Sequence, residues 1–244
     1  VNRPNRILIT RPARQAQQLA DRLSGLGYQA ISLPLMEIEK IAIQVPVKVS
    51  DTVIFISANA VRCGVDQLTE LGIDLSDRRL LAIGPATSAA LSDQGFESEL
   101  AESGFRSEDL LQKLDLEHTQ PQEVTVVCGE GGRELLEAGL IKNGSVVNRL
   151  EVYRRLPVQH IERSLVGVDQ NGRPDLISLM NQESLILLDQ ALASLNLASW
   201  KDIPLLVSSS RIQETARDLG FLQVFCQTDP TESSLIDFLA QFSP

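Results

Sequence analysis

The sequence predicts an α/β protein of two parallel-sheet domains joined by two extended connections, and three observations carry that prediction. Short β-branched and aliphatic runs alternate with longer stretches of helical periodicity along the chain, as in parallel strands wound with helices. The series is interrupted twice by extended segments, Met36 to Ile41 and Leu150 to Leu156, each with a proline beside it, Pro34 and Pro157. A weak internal repeat pairs Leu80-Leu81-Ala82-Ile83-Gly84, whose helix closes on Asp93-Gln94-Gly95-Phe96, with Leu205-Leu206-Val207-Ser208 and its closing Asp218-Leu219-Gly220-Phe221.

Taken in order, Arg6 to Thr10 is a strand, and Arg11-Pro12 opens a helix in which Ala16, Leu19, Ala20, Leu23 and Leu26 recur at helical spacing. Gly27 ends that helix, Gln29 to Leu33 is a second strand, and the chain runs on extended from Pro34. A new series starts at Asp51: strand Val53 to Ile56, turn Ser57-Ala58-Asn59, a helix to Leu71, strand Leu80 to Ile83, turn Gly84-Pro85-Ala86-Thr87 and a helix to Gln94. A short strand at Glu99 to Ala101 and a helix over Ser107 to Leu114 follow. Next come strand Val124 to Cys128, the turn Gly129-Glu130-Gly131-Gly132, a helix from Arg133 and a strand over Val146 to Tyr153, five strands in all. Beyond Pro157 the pattern restarts with a helix at Ile161 to Val166, strand Leu176 to Met180, and a helix through Leu192. Strand Pro204 to Val207, the serine turn 208–210, a helix to Leu219, strand Phe221 to Cys226 and a last helix complete a second set of five.

The expected architecture is two flavodoxin-like domains: residues 1–36 plus 156–244 form one, residues 42–150 form a second inserted in it, and 36–42 with 150–156 are connecting strands. Parallel crossovers are right-handed and ligands sit beyond the carboxyl ends of strands, so a cleft between the domains is the expected site.

With 244 residues and 43% apolar content the chain can bury ordinary cores, and no apolar run reaches the roughly 18 residues of a membrane span. The N-terminus passes straight into a strand pattern without a signal peptide, so a cytoplasmic protein with no membrane partner is expected. Cys63, Cys128 and Cys226 are widely spaced, forming neither a disulfide framework nor a metal-ligand pattern, and read as buried thiols; no metal is expected. A net charge of -10 excludes a phosphate-backbone partner, so no nucleic acid is expected. His118 and His160 lie in polar stretches and read as solvent-facing loop residues.

Chemistry is expected at the strand-terminal turns. Glycines after a strand let backbone N–H groups approach an anion at a helix start. Yet Gly129-x-Gly131 is no dinucleotide fingerprint, because Glu134 occupies the third glycine position, and no Gly-Lys-Ser/Thr follows. A plain strand-to-helix bend is the alternative for this turn, and Tyr153, at a strand end, reads as a packing residue before it reads as a catalyst. The turns carry Arg11, Ser57, Asn59, Thr87, Gly129 to Gly132, Asn181 and Ser208 to Ser210, which are hydroxyls, amides and bare backbone with hardly a carboxylate. Such a lining suits an anionic ligand with many handles, although Ser, Thr and Asn also serve as plain helix caps.

Several segments, in order, resemble one family. Ile7-Leu8-Ile9-Thr10-Arg11-Pro12, Phe55-Ile56-Ser57, Ala82-Ile83-Gly84-Pro85-Ala86-Thr87, Cys128-Gly129-Glu130-Gly131-Gly132-Arg133-Glu134-Leu135 and Val152-Tyr153 look like uroporphyrinogen-III synthase, over nearly the whole chain. The resemblance implies the same two-domain fold and a lyase that converts linear hydroxymethylbilane into uroporphyrinogen III, with loss of water and inversion of ring D, in tetrapyrrole (haem and sirohaem) biosynthesis. It implies no cofactor, a small-molecule substrate with eight carboxylates, and a monomer. By resemblance Tyr153 assists departure of the hydroxyl, while Gly84 and Thr87 face the substrate. Two turns depart from the family pattern, Met180-Asn181 and Val207-Ser208-Ser209-Ser210-Arg211, where Ser208 and Ser210 stand in for other hydroxyls. The competing readings are a non-enzymatic two-domain binding protein for a small anion and a nucleotide-binding flavodoxin-like enzyme.

Overall fold

A computed structural model describes residues 4–100, 107–116, 123–131, 135–227 and 231–242. The chain divides into two compact units, residues 1–37 with 156–244 and residues 38–155.

The first unit is built on a five-stranded parallel sheet. Its strands are β1 (Arg6–Ile9), β2 (Gln29–Ser32), β9 (Leu176–Leu179), β10 (Leu205–Val207) and β11 (Val224–Cys226), in spatial order β11-β10-β9-β1-β2. Ile7 and Ile9 face one side, against α1 (Ala13–Gly25) and α9 (Glu232–Gln241). Leu8, Ile177 and Val207 face the other, against α6 (Ile161–Gln170), α7 (Gln182–Ser194) and α8 (Ser210–Asp218). Both faces are covered, which is why these strands read as continuous apolar runs without alternation. In α1 the expected stripe Ala16, Leu19, Ala20 and Leu23 is buried, but Leu26 is 55% exposed: it lies one residue past the last turn, where the helical period no longer aims it at the core. A 3-10 turn at Ala198–Asp202, absent from the sequence reading, seats Trp200 fully buried, with its indole N–H donating to Asp169 Oδ1 at 2.8 Å.

The second unit carries six strands where five are expected. Its order is β3-β8-β7-β4-β5-β6, with β3 Met36–Lys40, β4 Thr52–Phe55, β5 Arg79–Ala82, β6 Glu99–Leu100, β7 Glu123–Gly129 and β8 Val146–Pro157. The additional strand is the first connection, since Met36–Lys40 pairs with β8 instead of running free. Met36 and Ile38 alternate with Glu37 and Glu39, a strand pattern, and the outer edge of the 12-residue β8 has N–H and C=O groups that need partners. Helices α2 (Ala58–Glu70) and α3 (Pro85–Ser92) cover one face; α4 (Ser107–Leu116) and α5 (Leu135–Lys142) cover the other.

The two strand orders are circular permutations of each other. Written as β11-β10-β9-β1-β2 and β6-β5-β4-β7-β8, they superpose strand for strand, so β10 matches β5, the pair picked out by the internal repeat. The end of β9 in one unit therefore corresponds to the end of β4 in the other, and the end of β1 to that of β7.

The three thiols are not all buried. Cys128 is, Cys63 is half-buried, and Cys226, on the edge strand β11, is exposed. Burial pushes the Cys128 thiol up to about 12, so it carries no thiolate at neutral pH.

At the sheet edge Arg79 donates Nε and Nη2 to the Glu99 carboxylate, both at 2.8 Å, and Lys113 stands 3.2 Å from it. The Arg79 hydrogen bonds hold the Glu99 carboxyl at about 2, well below the ordinary value of about 4.3. A depressed carboxyl stabilises the fold above the unfolded-state value, and that contribution is lost as pH falls toward 2. The urea midpoint should accordingly fall less steeply between pH 5 and pH 2.5 for Glu99→Gln than for the unsubstituted chain. Parallel pH profiles would show the ion pair contributing nothing, as exposed pairs often do.

Candidate active site

In the second unit, β4 ends at Phe55 and the chain turns into α2 through Ser57, which is extended and accepts the Ala60 N–H on Oγ at 3.0 Å. That is an ordinary N-cap. Strands β7 and β8 pair in register from Glu123↔Val146 to Cys128↔Glu151, and there the register slips by one residue, so that Gly129 faces Tyr153 and Val152 is extra. A one-residue bulge interrupts side-chain alternation. Val152 and Tyr153, although consecutive, therefore both pack into the α2-side core with Phe55, Ala60 and Val61.

The consequence for Tyr153 is threefold. Its ring lies across the backbone of Gly129, so that a Cβ at Gly129 would sit 2.5 Å from Tyr153 Cζ, 2.7 Å from Cε2 and 2.9 Å from the phenol oxygen. Its carbonyl accepts the Glu130 N–H at 2.8 Å. Its phenol oxygen lies 3.1 Å from Ser57 Oγ. With 5% of its surface exposed, Tyr153 belongs to the core while its polar tip meets the start of α2. On the other face of β8, Arg149 pairs with Glu137 and, at 3.0 Å, with Glu151, and reaches the Gly129 carbonyl at 3.5 Å, bracing the slipped register from behind.

The remaining turns of this unit are less occupied. Gly131 is left-handed, φ 65°, with nothing within 4 Å of an added Cβ, so its backbone borders open space. Gly84 is the extended N-cap of α3 and has no side chain with which to cap it, while Thr87 in the first turn is buried. Asn59, in the first turn of α2, is half-buried. Gly132, Arg133 and His118 lie outside the described residues.

In the first unit Asn181 occupies the position of Ser57. It caps α7, its Oδ1 accepting the Ser184 N–H at 2.8 Å. Asn181→Ala should lower the stability of the fold by about 1 kcal/mol, whereas Asn181→Asp, an equally good cap, should not. Equal urea midpoints for the three proteins would mean that the cap contributes nothing. Ser208 donates to the Met180 carbonyl at 2.7 Å and ties two strand ends together. Ser209 caps α8, and Ser210 is the exposed first residue of that helix.

Arg11, just past β1, is 11% exposed. Its guanidinium meets Met180 Sδ at 3.7 Å and Glu232 at 3.8 Å, and among the described residues Nε has no partner. Burial pulls its pKa below the ordinary value, Glu232 acting the other way. Gln227, at the end of β11, was not singled out in the sequence; it is buried, and among the described residues neither side-chain polar atom has a partner. The only local signal for it is a polar residue following an apolar strand. His160 is exposed at the start of α6. A groove of about 830 Å³ opens at the amino ends of the strands of the first sheet, near Tyr28 and Asp175, beside the carboxyl end of α1, where a helix dipole disfavours carboxylates.

Among the described residues no group of three or more His, Cys, Asp or Glu side chains stands where it could hold a metal ion, and no helix is long and apolar enough to cross a membrane. Fold and site together define a two-unit α/β protein whose strand ends present caps, bare backbone and one held tyrosine in place of a nucleotide fingerprint.

A family model described as Uroporphyrinogen-III synthase HemD matches residues 17–237, and the chain belongs to that family. It is 32% identical over 180 residues to the uroporphyrinogen-III synthase of Proteus mirabilis, covering 70% of this chain and 90% of that one. To the enzyme of Salmonella typhimurium it is 29% identical over 232 residues, covering 89% and 93%. Among solved structures, a mutant uroporphyrinogen III synthase from the extremely thermophilic bacterium Thermus thermophilus aligns with a TM-score of 0.59 at 20% identity over 96% of both chains. That from Helicobacter pylori aligns at 0.57 and 13% identity, over 97% of this chain and 98% of that one. These structures share the two-domain α/β fold. The family resemblance and fold class expected from the sequence are borne out.

Proposed function

We propose that the chain converts hydroxymethylbilane into uroporphyrinogen III without a cofactor, with Tyr153 donating a hydrogen bond to the departing hydroxyl. Family membership supports the reaction, and the observation that carries the assignment to a residue is the phenol of Tyr153, seated on Gly129 and 3.1 Å from the Ser57 cap. A pyrrole nitrogen can push the hydroxyl out once that oxygen is hydrogen-bonded or protonated. The electron pair of the broken C–O bond departs with the oxygen, which takes up a proton and leaves as water; the pyrrole carries the resulting positive charge until ring closure, where the proton lost from the attacked pyrrole balances the one taken up. Little strong acid or base is needed, and the protein's main contribution is to hold a flexible chain in the ring-inverting geometry.

Gly129 and Ser57 serve the site by seating Tyr153, and Ser208 by tying the Met180 turn; substrate carboxylates are assigned to backbone donors at Gly84, Gly131 and Gly132, to the hydroxyl and amide groups of Asn59, Thr87, Asn181 and Ser210, and to Arg11. The last is supported by its burial with an unpartnered Nε, since a buried guanidinium gains most from a carboxylate. Net charge slows encounter with a polyanion and leaves local binding intact. The proposal includes a monomer acting in the cytoplasm, which gel filtration and cell fractionation test. Family membership disfavours the non-enzymatic binding protein. The deciding experiment adds purified protein to hydroxymethylbilane: the III isomer is expected, and spontaneous I isomer alone would overturn the reading.

A further inference from the structure

We infer that Ser57 is a positioning residue that donates its hydroxyl proton to the Tyr153 oxygen, leaving the phenol's own proton free for the substrate. This rests on the reading of Tyr153 given above. The 3.1 Å contact by itself allows either oxygen to be the donor. The role assigned to Tyr153 decides between them. Ser57 Oγ already accepts the Ala60 N–H, and among the described residues its only other side-chain partner is the phenol. If Tyr153 were the donor, Ser57 Oγ would accept twice, which its two lone pairs allow, but the phenol would have no proton to offer the substrate. If Ser57 is the donor, the hydrogens run one way: Ala60 N–H to Ser57 Oγ, Ser57 O–H to the Tyr153 oxygen, and Tyr153 O–H to the substrate.

Hydrogen bonds running in one direction polarise one another, and this run starts at the N-terminus of α2, the positive end of the helix dipole. Ser57 is also the adjustable member of the pair. The tyrosine is fixed by the Gly129 backbone beneath its ring, by the Glu130 N–H on its carbonyl and by the slipped register of β8, whereas a serine hydroxyl hydrogen rotates freely. A cap needs only an acceptor. The requirement that residue 57 also donate is what separates a positioning role from an ordinary helix start.

The discriminating variants are Ser57→Asp and Ser57→Thr, each made alone and with Tyr153→Phe. Aspartate caps a helix as well as serine but when ionised can only accept, so it would take the phenol proton; threonine caps and donates. Ser57→Asp should lower kcat by about tenfold or more with a urea midpoint close to that of the unsubstituted chain, and Ser57→Thr should recover most of that loss. With Tyr153→Phe present, Ser57→Asp should change kcat less than twofold, because no phenol proton remains to be taken. Any change in KM from the added carboxylate should be the same in both backgrounds. An equal kcat loss with and without the phenol, or no loss in folded Ser57→Asp, overturns the inference while leaving Tyr153 in place. A wild-type rate for Tyr153→Phe alone overturns both.

Discussion

Gly129→Ala should cost as much activity as removing the Tyr153 hydroxyl, the proposed catalytic group, about 10²-fold in kcat, although it adds a single methyl group. The backbone at 129 is not left-handed, so alanine meets no conformational penalty there. The obstacle is the Tyr153 ring, 2.5 Å from the new carbon, a distance that must relax by about an ångström or more. The ring cannot swing away cheaply, because it is packed against Phe55, Val61 and Val152 and its carbonyl is held by Glu130. Overpacking of this kind typically costs about 1–3 kcal/mol of stability, and displacing a reacting group by about 1 Å costs about two orders of magnitude in rate. Urea unfolding and kcat report the two effects separately. The control is Tyr153→Ala, in which the ring is gone: adding Gly129→Ala there should change stability little. If Gly129→Ala alone keeps wild-type stability and kcat, the ring does not depend on this glycine, and the residue serves only to bend the chain.

Tyr153→Phe should slow single-turnover ring closure by about 10²-fold, the low end of the range for general-acid assistance, because the pyrrole supplies the push. The ring stays on Gly129 and in the core, so the stability loss should be only the Ser57 hydrogen bond, about 0.5–1.5 kcal/mol. KM should change little, since the proposed contact is to the departing oxygen and not to the carboxylates. The III isomer should remain the product, though slower closure lets spontaneous cyclisation to the I isomer compete. Wild-type rate and isomer ratio would make Tyr153 a packing residue only.

The sequence itself shows a tyrosine in a strand and a serine before a helix, and local physics sets both; the reading ends that strand at Tyr153, whereas β8 runs on to Pro157. The glycine turn is legible as well, although its reason is not. From sequence Gly129 reads as room for an anion; in the folded chain its missing side chain is filled by Tyr153. Nothing near Gly129 in sequence points to a residue 24 positions away, and the one-residue slip between Cys128 and Gly129 that brings the two together leaves no mark in the apolar pattern, because both Val152 and Tyr153 are apolar enough to be buried. The Arg149 pair with Glu137 and the burial of Gln227 were missed for the same reason: their neighbours are supplied by other elements.

By itself, then, the sequence determined the alternation of strands and helices, the buried stripe Ala16, Leu19, Ala20 and Leu23 of α1, and the caps at Ser57 and Asn181. These follow from backbone periodicity and from bonds between residues three or four apart, which any local window contains. Only the tertiary structure decided that Met36–Lys40 joins a sheet, that the two strand orders are circular permutations, and that Ser57 and Tyr153, 96 residues apart, share a hydrogen bond. Strand order and register are set by pairing between distant segments, and a slip of one residue there turns a side chain from one face of a sheet to the other without changing a single local preference.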